Sequence, residues 1–293
     1  MLFDYPPNLI IGLIAGFVAL VIASITDMKT REVPDWLNFS LSFFAIGYAV
    51  ILSVLYSNAG FVANAVCGLT LGLAVGLFMF YTGQWGGGDS KLIIGLCAIL
   101  GVQVPMLSSI GGNDLILAFF VNTLFVGAIY GLGFSIWKAI VHFSEWKKEA
   151  LSKFKQRSVR VSKIVLIIFM ILALLNYVLS PGLNAAFILG IAVLMMFMLY
   201  LWIFVSCVEK VHMVQPIDVK KLTEGDWIVE PVTKKGKTIL KPTRIGITKD
   251  EIGILKKNRI KKVIIKVGIP FVPSFLLAYI LMIVFGNWLA LFF

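Results

Sequence analysis

All 26 lysines and arginines of this 293-residue chain fall in four segments that alternate with long apolar runs. Eight such runs are present, at roughly residues 8–26, 36–56, 61–82, 90–104, 115–137, 164–180, 186–208 and 270–292. A helix that crosses a bilayer needs about 20 predominantly apolar residues. Segments 27–35, 83–91, 138–163 and 209–269 hold 2, 1, 8 and 15 of the cations, and the intervening 1–7, 57–60, 105–114 and 181–185 hold none. Because cationic loops stay on the cytosolic side, this bias predicts an all-α polytopic membrane protein of about eight transmembrane helices, N-out and C-out. Only 14% of residues are charged, against about 25% in soluble domains, which excludes a soluble class.

The same pattern divides the chain into a membrane bundle of seven helices (1–208), a small α+β cytosolic domain (209–269) and a final transmembrane helix (270–293). Within the small domain, DWIVEPV and KKVIIKVG read as strands, and Thr248 with Glu251 fits the capping box of a helix start. At about 60 residues its own core is marginal, so it is expected to lean on the bundle. Residues 138–163 form a basic connector suited to anionic lipid headgroups, and no nucleic-acid recognition motif accompanies it. Gly68, Gly72 and Gly76 make a small-residue ladder that lets helices approach closely. Cys67, Cys97 and Cys207 stand alone, and neither CxxC nor HExxH occurs, so no metal and no cofactor are expected. The acidic opening MLFDYPPN does not resemble a cleaved signal, and the first run is read as a permanent span.

Two carboxylates then need an explanation. Asp27 closes the first run and Asp89 opens the fourth, both on the cationic side. Ionisable groups at membrane depth are costly and mark function, usually with a partner. The glycines Gly86, Gly87 and Gly88 before Asp89 permit an unwound backbone and close approach of a substrate chain, and Pro34 stiffens the loop after Asp27. Two carboxylates sharing a site hold one proton between them, so one activates water while the other stays protonated. Helix dipoles favour Asp89, at a helix start, as the ionised base, and Asp27, at a helix end, as the acid.

These residues resemble the membrane-embedded GxGD aspartic peptidases, in the branch of the prepilin peptidases and archaeal preflagellin (archaellin) peptidases. Gly86-Gly87-Gly88-Asp89 fits GxGD, and Ser90-Lys91-Leu92 is similar to the continuation of that motif. Asp27 with the downstream Val33-Pro34-Asp35-Trp36-Leu37-Asn38 resembles the first aspartate and its proline-containing stretch. The resemblance covers about residues 1–210, with a weaker match in the tail. It implies an aspartic endopeptidase of the plasma membrane with its active site facing the cytoplasm. Its substrates would be prepilin-like or preflagellin precursors, each losing a short basic leader. Asp27 and Asp89 carry over as the catalytic pair, with Gly86, Gly88 and Lys91 as motif support, Lys91 positioning Asp89 or a phospholipid. The absence of CxxC departs from the bifunctional bacterial members and points to an archaeal-type enzyme with peptidase activity alone.

Charge poses a difficulty, because the cationic-side segments together carry a net +13 that repels a basic leader. Around the aspartates the balance is −1, which nominates Glu32 and Asp35 to receive the leader's Lys or Arg. Rival readings remain open. A presenilin or signal-peptide-peptidase-like protease shares GxGD but expects YD and PAL, whereas Thr26 precedes Asp27 and Pro273-Ser274-Phe275 is the nearest fragment to PAL. An ion- or proton-coupled transporter would place its carboxylates near the midplane, often in related repeats. A non-catalytic scaffold for pilus assembly is the third.

Overall fold

The computed structural model describes residues 7–101, 115–234, 236–243 and 246–286. Ten α-helices occur among them: α1 (Pro7–Thr30), α2 (Asp35–Leu55), α3 (Gly60–Tyr81), α4 (Gly87–Gly101), α5 (Leu115–Val141), α6 (Phe143–Lys155), α7 (Arg157–Leu179), α8 (Leu183–Val208), α9 (Lys249–Lys257) and α10 (Val272–Phe285). Six helical stretches are long and apolar enough to cross a membrane: Ile10–Thr30, Asp35–Leu55, Gly60–Tyr81, Leu115–Val141, Arg157–Leu179 and Leu183–Met213. The protein is therefore polytopic. The other two expected spans correspond to shorter helices, α4 with 15 residues and α10 with 14 described. Residues 105–114 and the end of the eighth expected span lie outside the described residues.

The chain packs as two units, Met1–Gly131 with Pro216–Phe293, and Leu132–Gln215. In the first, α4 is the inner helix. Leu92, Ile93, Leu96, Cys97, Ala98, Ile99 and Leu100 are all buried, and α1, α2 and α3 pack around it. The expected glycine ladder is what seats it. A Cβ on Gly68 would lie 2.1 Å from the backbone oxygen of Cys97, one on Gly72 2.8 Å from Cys97 Cβ, and one on Gly76 2.9 Å from the Ser90 oxygen. Gly101 repeats the device from the α4 side, 2.4 Å from the Asn64 oxygen.

The last helix returns to the first. Tyr279 on α10 is buried and its hydroxyl donates to the Leu13 carbonyl on α1 at 3.1 Å. A Cβ on Gly16 would come within 2.5 Å of that hydroxyl oxygen.

The second part of this unit holds most of the small α+β module. Strands β1 (Val214–Asp218), β2 (Trp227–Ile228) and β5 (Lys262–Lys266) form a sheet of order β1-β5-β2, and β3 (Val232–Lys234) pairs antiparallel with β4 (Lys237–Leu240). β2 and β5 run antiparallel, with Trp227 opposite Lys266 and Ile228 opposite Ile265. The expected strand in DWIVEPV is broken into β2 and β3. Pro231 lies in the break, where a residue without an N–H cannot extend a ladder. Leu240, Ile252, Leu255, Val263 and Ile265 are among the residues of its core. The capping box of α9 is formed: Glu251 N–H donates to the Thr248 hydroxyl oxygen at 3.3 Å, and Thr248 N–H to Glu251 Oε2 at 2.9 Å.

In the second unit the connector is helical rather than a loop. α6 packs Ala150 and Trp146 among Val159, Leu199, Ile203 and Cys207, and exposes Phe143, Leu151 and Phe154 among its lysines. Lys210 pairs with Glu149 at 2.7 Å.

Gly68→Ala sets a methyl against α4 backbone that has no rotamer to shift, and overpacking of this kind costs about 1–3 kcal/mol. At Gly47 a Cβ meets nothing within 4 Å, so Gly47→Ala should be neutral or gain up to about 1 kcal/mol. Unfolding of both variants in detergent checks the contrast.

Candidate active site

α1 runs through Asp27 to Thr30, one turn beyond the end read from the sequence. Asp27 is thus on the last helical turn, 4% exposed, on the face that buries Leu20 and Ala23. Arg31 N–H caps the helix end by donating to the Asp27 carbonyl at 2.8 Å.

Asp89 occupies the first turn of α4, half-buried. Gly86 precedes α4, whereas Gly87 and Gly88 are its first two residues. A Cβ on Gly88 would sit 3.1–3.3 Å from Val33, so Gly88 lets the α1–α2 loop lie directly on the start of α4. Gly86 N–H donates to Asp89 Oδ2 at 3.3 Å, which fixes the carboxylate over its own helix end. Asn38 on α2 adds a long hydrogen bond of 3.4 Å from Nδ2 to the Gly88 carbonyl.

Asp27 thus lies on the last turn of α1 and Asp89 on the first turn of α4, and the loop that follows Asp27 packs through Val33 onto Gly88, the neighbour of Asp89. Among the described residues no group of three or more His, Cys, Asp or Glu is arranged to hold a metal ion.

The sequence reading missed the third component, α10. Val272 N–H, at its first residue, donates to Asp27 Oδ2 at 3.0 Å. A helix N-terminus carries partial positive charge and stabilises an anion. Two opposed helix ends therefore meet at Asp27, the negative end of α1 and the positive end of α10. The dipole argument for placing the shared proton on Asp27 loses its basis, because it counted only α1. The signals in the sequence are the weaker tail match, which includes Gly268-Ile269-Pro270-Phe271-Val272-Pro273, and Pro273-Ser274-Phe275 as the nearest fragment to PAL; neither points to a backbone donor.

Aromatic packing holds α10 in place. Trp85, next to the glycines, is buried and lies 5.1 Å from Phe275 edge-to-face and 6.5 Å from Phe271. Gly127 on α5 makes room for the Phe271 ring, which a Cβ there would approach to 2.7 Å. Tyr130, also on α5, feels the charge of Asp27.

Of the remaining expected residues, Lys91 is not directed to Asp89. Its Nζ pairs with Asp35 Oδ1 at 2.6 Å and lies 5.7 Å from the centre of the Phe39 ring. Asp35, in the first turn of α2, is thereby engaged. Glu32 is exposed, and its charge acts on Asp226 in the small module.

Comparison with known proteins gives the family of the chain. Residues 14–132, which contain both aspartates but not α10, match the model of the Type IV leader peptidase family. A preflagellin peptidase of Methanocaldococcus jannaschii is 32% identical over 167 residues, 53% of this chain and 70% of that protein. Preflagellin peptidases of Methanococcus maripaludis and Methanococcus voltae are 33% and 28% identical over 99 and 96 residues, which are 43% and 41% of their lengths. The protein is a multi-pass membrane peptidase; it belongs to the type IV leader peptidase family. No solved structure is a significant match.

Asp226 offers a pH test within the small module. Burial pushes its carboxyl above the ordinary range; hydrogen bonds from Thr223 oppose the shift and the charge of Glu32 adds to it. A raised folded value means a contribution to stability that is full in acid and lost as pH rises through that value. Asp226→Asn keeps an acceptor for Thr223 N–H without the charge. Its melting temperature should exceed that of wild type by more at about pH 7 than at about pH 4.

Proposed function

We propose that this chain is an aspartic endopeptidase that removes the short basic leader from preflagellin-type precursors at the cytosolic face of the plasma membrane, with Asp27 and Asp89 as its catalytic pair. The observation that supports the reading is the packing of the loop after Asp27 onto the helix turn that carries Asp89, with a backbone N–H donor on the Asp27 carboxylate. The relatives named preflagellin peptidases favour preflagellin over the broader prepilin-like class.

In the reaction, the ionised carboxylate takes a proton from water and the oxygen attacks the scissile carbonyl carbon. The protonated partner donates to the carbonyl oxygen. The tetrahedral intermediate then collapses, the C–N bond breaks, and the amine leaves with a proton from the dyad. The shared proton belongs to the pair, and neither aspartate owns it at rest.

Leader recognition falls to Glu32 in this reading, with Asp35 contributing only when Lys91 releases it. The exposed lysines and apolar residues of α6 suit anionic headgroups, and the same assay in anionic against neutral vesicles reads that contact.

With purified protein and a preflagellin-like substrate, Asp27→Asn and Asp89→Asn should each lower cleavage by about 10²–10⁴-fold while the protein stays folded. Full activity in either variant removes the dyad. Glu32→Lys combined with Asp35→Lys should raise KM for a basic leader and leave a neutral leader unaffected. If KM is the same for both leaders, these residues do not read charge.

A further inference from the structure

We infer that Arg31 is a positioning residue, whose guanidinium holds the segment before α10 so that the helix start stays on Asp27. The inference rests on the proposed catalytic role of Asp27. Arg31 has φ of 59°, a left-handed conformation that glycine takes freely and branched or long side chains avoid. It is the residue directly after α1, the position where helices commonly end on glycine. A left-handed arginine at a helix end needs a reason, and its side chain supplies one.

Arg31 Nη1 donates to the carbonyl of Gly268. Residues 267–271 carry no regular structure, so nothing in a strand or helix ladder fixes that carbonyl. Immediately beyond lies Val272, whose N–H reaches Asp27 Oδ2 at 3.0 Å. Arg31 N–H in turn binds the Asp27 carbonyl at 2.8 Å. Asp27, Arg31, Gly268 and Val272 thus close a ring of three hydrogen bonds around the end of α1. The Phe271 ring, lodged against Gly127 and Trp85, restrains the same segment on its other side. The positive charge of Arg31 also acts on the Asp27 carboxylate. A plain cap would use only the backbone of Arg31; the latch uses its side chain.

Arg31→Gly separates these roles, because glycine suits the left-handed position and lacks the guanidinium. Three quantities are measured on the full chain: melting temperature, amide hydrogen exchange across residues 268–274, and kcat and KM for leader cleavage. The melting temperature should hold or rise. Exchange at 268–274 should quicken, and kcat should fall about 10- to 100-fold with KM little changed, as expected for misplaced reacting groups. Arg31→Lys, which keeps the charge and one donor, should recover part of both losses, and it serves as the probe if Arg31→Gly does not fold.

Unchanged exchange overturns the latch whatever happens to kcat. Faster exchange with unchanged kcat overturns the positioning role. A wild-type protein that cuts no leader defeats the peptidase reading instead, and the exchange measurement still judges the latch.

Discussion

A carboxylate buried at the end of a transmembrane helix demands a donor, and Asp27 obtains it from the far end of the chain. At 4% exposure an unpaired carboxylate would face a desolvation penalty of several kcal/mol. The Val272 N–H offsets part of that penalty without adding a cation that would neutralise the group for chemistry. Much of the first unit serves this contact. Tyr279 is hydrogen-bonded to α1, Gly16 gives it room, and Trp85 and Gly127 hold Phe271. Aromatic burial, backbone geometry and the dyad are one arrangement.

The second aspartate is placed by a different means. Asp89 depends on α4, and α4 depends on backbone-to-backbone contact with α3 through Gly68, Gly72 and Gly76. Between helices in lipid, packing and hydrogen bonds supply much of the attraction that the hydrophobic effect supplies in water. Removing side chains increases contact there. Gly88 extends the same principle to the loop after α1, bringing Val33 onto the turn that carries Asp89.

Much of this was legible in the sequence. Apolar length and cation placement marked helices from the first run to the last, and Asp27 and Asp89 stood out because charge at membrane depth has few other reasons. The α9 capping box was readable because it is local, four residues with a fixed hydrogen-bond pattern. What escaped was long-range. Val272 acts through its backbone N–H, which any residue but proline possesses, so its side chain carries no signal. The resemblance gives Lys91 to Asp89 or to a phospholipid, whereas its ammonium pairs with Asp35 on α2. The glycine triplet suggests an opened backbone and the close approach of a substrate chain, whereas the close approach found at Gly88 is that of Val33. Glycine has both uses, and only the neighbour, Val33, decides between them.

The position of α10 also has a consequence in time. Chains are made and inserted from the N-terminus, and the early helices pack before later ones exist. Both aspartates have been made once Asp89 is added, yet the donor to Asp27 waits until Val272 has emerged and α10 has docked. On the reading proposed here, the nascent protein carries its acidic pair through most of its own synthesis in an incomplete state. The act that finishes the fold is the same act that arms the enzyme.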